Sequence, residues 1–156
     1  MLELNNKALL QTKCLINGEW VESSEGSTLD VFNPANGELV ATVATVGAAQ
    51  TEQAIAAAEA AQKTWKKKTA KERAALLRRW HDLLMENQED LAKLMTAEQG
   101  KPLAESRGEI GYAASFIEWF AEEGKRIYGD VIPTYAPDRR LLVMKEPVGV
   151  CAAITP

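Results

Sequence analysis

Hydrophobic and polar positions follow three different rhythms along this chain. From residue 13 to 46 the pattern is short and β-like. "KCLINGEWV" reads as two brief strands around Asn17-Gly18, a dipeptide that favours a two-residue hairpin. "LDVFNPANGELVATV" repeats the design around Pro34 and Asn36-Gly37, with Leu39, Thr42 and Val43 suited to a sheet surface. From about Thr51 the period changes to 3.6. Ile55, Ala58, Gln62 and Trp65 form one stripe with Ala-rich flanks, and a first helix is expected to pack along it. Thr69-Ala-Lys-Glu72 is a capping box that opens a second helix, with Leu76, Leu77, Trp80, Leu83 and Leu84 as its core stripe. A third helix restarts near Asn87 and Asp90, carries Leu91, Leu94 and Met95, and ends at Gly100. Pro102 begins a fourth, expected to run to Ile127 and close at Gly129, burying Leu103, Ile110, Ala113, Ala114, Ile117, Phe120 and Ala121.

The third rhythm occupies the end. "DVIPTYAPD" reads as an irregular connection. "RRLLVMKEPVGVCAAITP" reads as two strands broken at Pro147 and Gly149. Residues 140–145 look exposed and charged. Residues 148–154 are apolar throughout, as strands buried on both faces of a parallel sheet are. Such a strand needs sister strands, and this chain offers none of matching character. The pattern therefore implies a sequence incomplete at its C-terminus. It also points to Ile154–Pro156, because ligands of open parallel sheets bind beyond the carboxyl ends of the strands.

Composition changes this picture little. The chain has 156 residues and a net charge of −4, so bulk charge gives no reason to expect nucleic-acid binding. No stretch is apolar for the length of a membrane span, and the start lacks a signal-peptide pattern. Two cysteines far apart, Cys14 and Cys151, fit free thiols in a reducing cytoplasm. Lys66, Lys67 and Lys68 read as a solvated loop between helices.

Candidate chemistry is sparse. His81 is the one histidine, at an amphipathic boundary with no nucleophile placed to work with it. Cys14 and Cys151 read as small buried or half-buried hydrophobes, not nucleophiles. Glu98, Glu105 and Glu109 read as a solvated face, and Glu122 with Arg126 as an i,i+4 pair. Trp20, Trp65, Trp80 and Trp119 read as core and interface anchors. No HExxH, EF-hand, P-loop or GxGxxG pattern is present. A non-catalytic binding or assembly module, complete at 156 residues, is the competing reading.

Several stretches taken in order resemble the NAD(P)-dependent aldehyde dehydrogenase family. They are "LINGEWV", "NPANGELVATV", the Ala-rich helix ending in Trp65, "TAEQGKPLAE" and "EPVGVCAAITP". The stretch "EQGKPLAESRGEIGYAASFIEWFAEEGKRIYGDVIP" is most similar to the succinate-semialdehyde or glutarate-semialdehyde branch. The resemblance implies an α/β fold and an N-terminal portion of it: β hairpins, four helices, the start of an oligomerisation β arm, and the first strand of a Rossmann-like parallel sheet. The implied divisions are residues 1–129 (part of the cofactor-binding domain), 130–146 (arm) and 147–156 (truncated strand). It implies oxidation of an aldehyde, such as succinate semialdehyde, to the acid with NAD or NADP, in a cytoplasmic homo-oligomer assembled through the arm, with no nucleic-acid or membrane partner. The catalytic Cys and Glu would lie beyond this stretch, so residues 1–156 alone would be inactive. Residue by residue, Ile154, Thr155 and Pro156 match positions lining the cofactor. Gly108, Tyr112 and Phe116 match the wall of the substrate tunnel. Val31 and Phe32 (through carbonyls) and Glu98 match a monovalent cation site. Glu98 stands where other members have Asp, and a solvated carboxylate is the competing reading there.

Overall fold

The computed structural model describes residues 2–155. The first hairpin pairs β1 (Cys14–Ile16) with β2 (Glu19–Val21), placing Leu15 opposite Trp20. Its turn puts both Asn17 (φ 51°) and Gly18 (φ 81°) in the left-handed region, as a type I′ turn requires. The second hairpin pairs β3 (Thr28–Phe32) with β4 (Leu39–Ala44). Val31 faces Ala41 but Phe32 faces Leu39, so Val40 is an extra residue and the ladder bulges there. Asn33 organises the turn: its carbonyl accepts from Gly37 N (2.8 Å) and its N–H donates to Glu38 O (2.9 Å). The two hairpins are joined where Ala44 N donates to Thr12 O (2.8 Å).

α1 (Ala48–Trp65) is tethered by a polar residue. Gln50 is buried; its amide donates to Glu22 O (2.9 Å) and its carbonyl accepts from Ser24 N (2.8 Å). The expected apolar stripe is not covered: Ile55, Ala58 and Trp65 are exposed and Gln62 is half-buried. The cause is positional. α1 packs on β1, and among the described residues no helix is laid along its stripe.

α2 (Ala70–Glu86), α3 (Gln88–Gln99) and α4 (Leu103–Glu123) form the packed unit. α2 starts at the expected capping box: Thr69 Oγ1 accepts from Glu72 N (3.3 Å), and Glu72 accepts from Thr69 N (2.7 Å). The Thr69 hydroxyl and N–H hold the Glu72 carboxyl below the usual range. α3 ends where Gly100 turns left-handed (φ 74°), and a Cβ there would lie 2.9 Å from Pro34 Cγ. The buried residues are mostly small: Ala74 on α2, Ala92, Leu94 and Ala97 on α3, and Ser106, Ile110, Ala114 and Ala121 on α4. Alanine and serine let the helix backbones approach closely, and Thr96 and Ser106 satisfy one another across the contact (2.9 Å). The large apolar side chains expected in the stripes behave differently. Leu76, Trp80, Leu83 and Phe120 are exposed, Leu77, Leu84 and Ile117 half-buried. Trp20, Trp65, Trp80 and Trp119 are likewise not core anchors here.

α4 ends at Glu123, short of Ile127; Gly124 donates to Phe120 O (2.9 Å) and the helix stops there. Gly129 has a different task. A Cβ at this position would run into the Val143 carbonyl oxygen. Backbone meets backbone here because β5 (Asp130–Ile132) pairs antiparallel with β6 (Leu141–Val143), Asp130 opposite Val143. The start of the expected irregular connection is thus a strand. Residues 144–155 carry no helix or strand and are exposed, in contrast to the expected buried strand over 148–154. A strand exists through its neighbours' hydrogen bonds, and among the described residues none runs beside this stretch. Cys151 is accordingly exposed, not a buried hydrophobe.

Candidate functional site

α4 has two faces with opposite duties. Ser106, Ile110, Ala114 and Ala121 turn inward. Gly108, Tyr112 and Phe116 follow one another at i, i+4 and i+8, so they share an outward face. Tyr112 is 66% exposed, and its ring meets Phe116 edge-on at 4.8 Å and 81°. Gly108 adds nothing to this wall, since a Cβ there would meet no atom within 4 Å. The wall continues as a groove of about 630 Å³ lined by Ser115, Phe116, Trp119, Phe120 and Arg126, with Glu118 and Glu122. Sequence reasoning missed Ser115, Trp119 and Arg126 here. The signal was available, because Trp119 stands three residues after Phe116 on the same side of the helix.

Electrostatics fix the groove's rim. Arg78 on α2 donates to Glu118 (2.6 Å) and Glu122 (3.0 Å) on α4. The guanidinium holds both carboxyls below their usual range, Lys125 assisting at Glu122, and they raise Arg78 in turn. Arg126 bonds Glu123 (2.6 and 3.1 Å) and not Glu122 as expected. Glu122 is occupied by Arg78 and by Lys125 (3.3 Å). A second tie joins α3 to α4: Arg107 binds Glu89 through two bonds (2.6 and 2.9 Å) and depresses its carboxyl. Glu109 is engaged by Lys101, while Glu98 and Glu105 are exposed.

The other expected site residues lie elsewhere. Ile154 is fully exposed, Thr155 is exposed, and Pro156 lies outside the described residues. Val31 is half-buried and Phe32 exposed on β3, which packs against α3; Glu98 stands exposed near the end of α3. Among the described residues no group of three or more His, Cys, Asp or Glu is placed to hold a metal ion. Cys14 is half-buried, its thiol 3.5 Å from Ala44 O. His81 is half-buried, with Nδ1 3.1 Å from Asp82, and takes no part in the groove. No helix among the described residues is long and apolar enough to cross a membrane.

Comparison with known proteins gives a consistent set of likenesses. The aldehyde dehydrogenase family profile matches residues 20–156. A glutarate-semialdehyde dehydrogenase of Pseudomonas putida is 59% identical over 155 residues, covering 99% of this chain and 32% of its own length. An NADP(+) succinate-semialdehyde dehydrogenase of Escherichia coli gives the same identity and coverage. The crystal structure of succinate-semialdehyde dehydrogenase from Burkholderia pseudomallei superposes with a TM-score of 0.92 at 56% identity, over 95% of this chain and 31% of that one. The chain thus spans about a third of the length of the curated relatives it matches.

Proposed function

The chain belongs to the aldehyde dehydrogenase family, and on that premise we propose that it serves an enzyme oxidising a short semialdehyde, succinate or glutarate semialdehyde, to the acid with NAD or NADP. One observation carries the reading: 59% identity across 99% of the chain to relatives named for those two substrates. The part taken by these residues is framework and wall. The Gly108–Tyr112–Phe116 face is proposed as one side of the substrate passage. It is aromatic and uncharged, which suits the aliphatic stem of a semialdehyde. The nearby cations Arg107 and Lys101 are engaged by Glu89 and Glu109. Recognition of a distal carboxylate is therefore assigned to groups outside this face.

Nucleophilic attack is also assigned outside these residues. Cys14 is half-buried in a hairpin, and Cys151 is exposed with no His beside it. Ile154, Thr155 and Pro156 are proposed to border the dinucleotide. The exposed Ile154 and Thr155 form no cradle by themselves, and no step of hydride transfer is derived for this chain. The β5–β6 hairpin, exposed along both strands, is proposed as the arm through which subunits pair. The Val31, Phe32 and Glu98 grouping is retained as a proposed monovalent cation site.

Gly108→Leu in the whole protein that carries this sequence tests the wall. The position is open, so the helix tolerates the side chain while the passage narrows. We expect kcat/KM for succinate semialdehyde, followed by reduced-nicotinamide absorbance, to fall about tenfold or more with the thermal midpoint unchanged. Unaltered kinetics would remove this face from the passage. No reduction of either cofactor by the unmodified protein with either semialdehyde would remove the substrate assignment.

A further inference from the structure

Asp90 lies in the first turn of α3 and is 4% exposed. Its partners come from the first residues of the sequence, more than eighty positions away. One carboxylate oxygen accepts from Asn5 N (3.1 Å) and Asn5 Nδ2 (3.2 Å); the other accepts from Asn6 N (2.7 Å). Lys93, one turn further along, stands 3.9 Å from the carboxylate and donates to Glu3 O (3.2 Å). Asn6 then points its own side chain onward and accepts from Ala8 N (3.2 Å), starting the short 3₁₀ turn Lys7–Leu9.

The rest of this segment holds on weakly. Leu2, Leu4, Leu9 and Leu10 are half-buried, and the residues from Asn5 to Ala8 are exposed. Beneath it is space. Leu2 and Leu10 face Asn33, Leu39 and Ala97 across a cavity of about 380 Å³ between α3 and the β3–β4 hairpin. A second, of about 370 Å³, lies between Leu2, Glu3, Thr96 and Leu103. A segment with little buried area, fastened at one charge-assisted cluster, detaches as a unit when the cluster is lost.

We propose that residues 2–10 form a latched strap, with Asp90 as the latch, and that its release opens the space between α3 and the β3–β4 hairpin while α2, α3 and α4 stay packed. The charged groups around the latch are Lys93 and Glu89 on α3 and Glu3 and Lys7 on the strap. The Asn6 and Asn5 amides, with Lys93, keep the Asp90 carboxyl below its usual range. The strap is therefore fully held above the ordinary carboxylate range and released as pH falls through Asp90's lowered value.

Amide hydrogen exchange in the whole protein tests this. In Asp90→Asn, the amides of Asn5 and Asn6 should exchange about tenfold faster or more, with Leu39 and Val40 following and Ile110 and Ala114 unchanged. An acid titration of the unmodified protein, corrected for intrinsic exchange, gives a second reading free of any folding defect. Strap amides should lose protection at a pH where α4 amides keep theirs. Wild-type protection of the strap in the variant, or simultaneous loss across the strap and α2–α4, would overturn the latch.

Discussion

The unit α2–α4 and the stretch from residue 125 to 155 both carry large apolar side chains; the first buries a few at its helix contacts and leaves Leu76, Trp80, Trp119 and Phe120 exposed, and the second buries none of those described. In the helical unit, Leu94, Ile110 and a set of alanines find partners within the chain. In the later stretch, Tyr128, Val131, Leu142, Met144, Val148 and Ile154 remain exposed. The apolar content of a segment states a demand for cover. Topology decides whether the demand is met, and by which element. Here helices returning on one another bury small residues at their contacts, whereas among the described residues β5 and β6 pair with each other alone.

The two regions should respond differently to truncation. Ile110→Ala should cost about 2–5 kcal/mol in denaturant unfolding, the range for a buried aliphatic side chain. In the 156-residue polypeptide, Val148→Ala should change stability by no more than about 0.5 kcal/mol. Equal costs would mean that the tail is packed. Overfilling sharpens the same contrast. Ala114→Leu, at a site 1% exposed, should cost about 1–3 kcal/mol, because the α4 contact has no room for extra methyl groups. A neutral Ala114→Leu would mean that the helices stand further apart.

Smaller effects act at the borders. Thr69→Ala should cost about 0.5–2 kcal/mol by removing the α2 cap, read as a lower denaturation midpoint. An unchanged midpoint would show that the cap contributes nothing to the unit. Gly129→Ala should leave that midpoint where it is while abolishing the β5–β6 pairing, seen as loss of amide protection at residues 141–143. Preserved pairing would contradict the backbone contact at Gly129.

Acid should act in one direction on the helical unit. Glu89, Glu118 and Glu122 are all held below their usual range by arginine partners. Their contribution is complete above the ordinary carboxylate range and fades as pH falls through the lowered values.

Local chemistry was the legible part of this fold. Asn17-Gly18, the Thr69–Glu72 box and Gly100 each specify a backbone conformation through nearest neighbours, and each turned out as read. Apart from Arg126, which bonds Glu123 and not Glu122, the misreadings concern partners remote in sequence. Ile55 and Trp65 are correctly spaced on α1, but among the described residues no helix lies along them and both are exposed. Phe120 and Leu76 sit on helices that are only partly covered. The end of α4 was displaced because Gly129 was read as a helix stop, whereas Val143, fourteen residues on, is what requires glycine there. Asp90 looked like a helix-start residue, and its clasp on Asn5 and Asn6 has no signature in spacing. At the candidate site, Gly108, Tyr112 and Phe116 were implied by the family resemblance, and their i, i+4, i+8 spacing puts them on one face of α4. The groove beyond it needed Arg78 of a different helix to hold Glu118 and Glu122 aside.

Within these 156 residues, cover for apolar side chains is concentrated in α2–α4. Residue-resolved hydrogen exchange of the 156-residue polypeptide reads this distribution amide by amide. Amides of α3 and α4 around Leu94, Ile110 and Ala114 should exchange slowly and cooperatively, and those of residues 144–155 at near-intrinsic rates. Protection of the tail equal to that of α4, or an unprotected α4, would contradict this distribution.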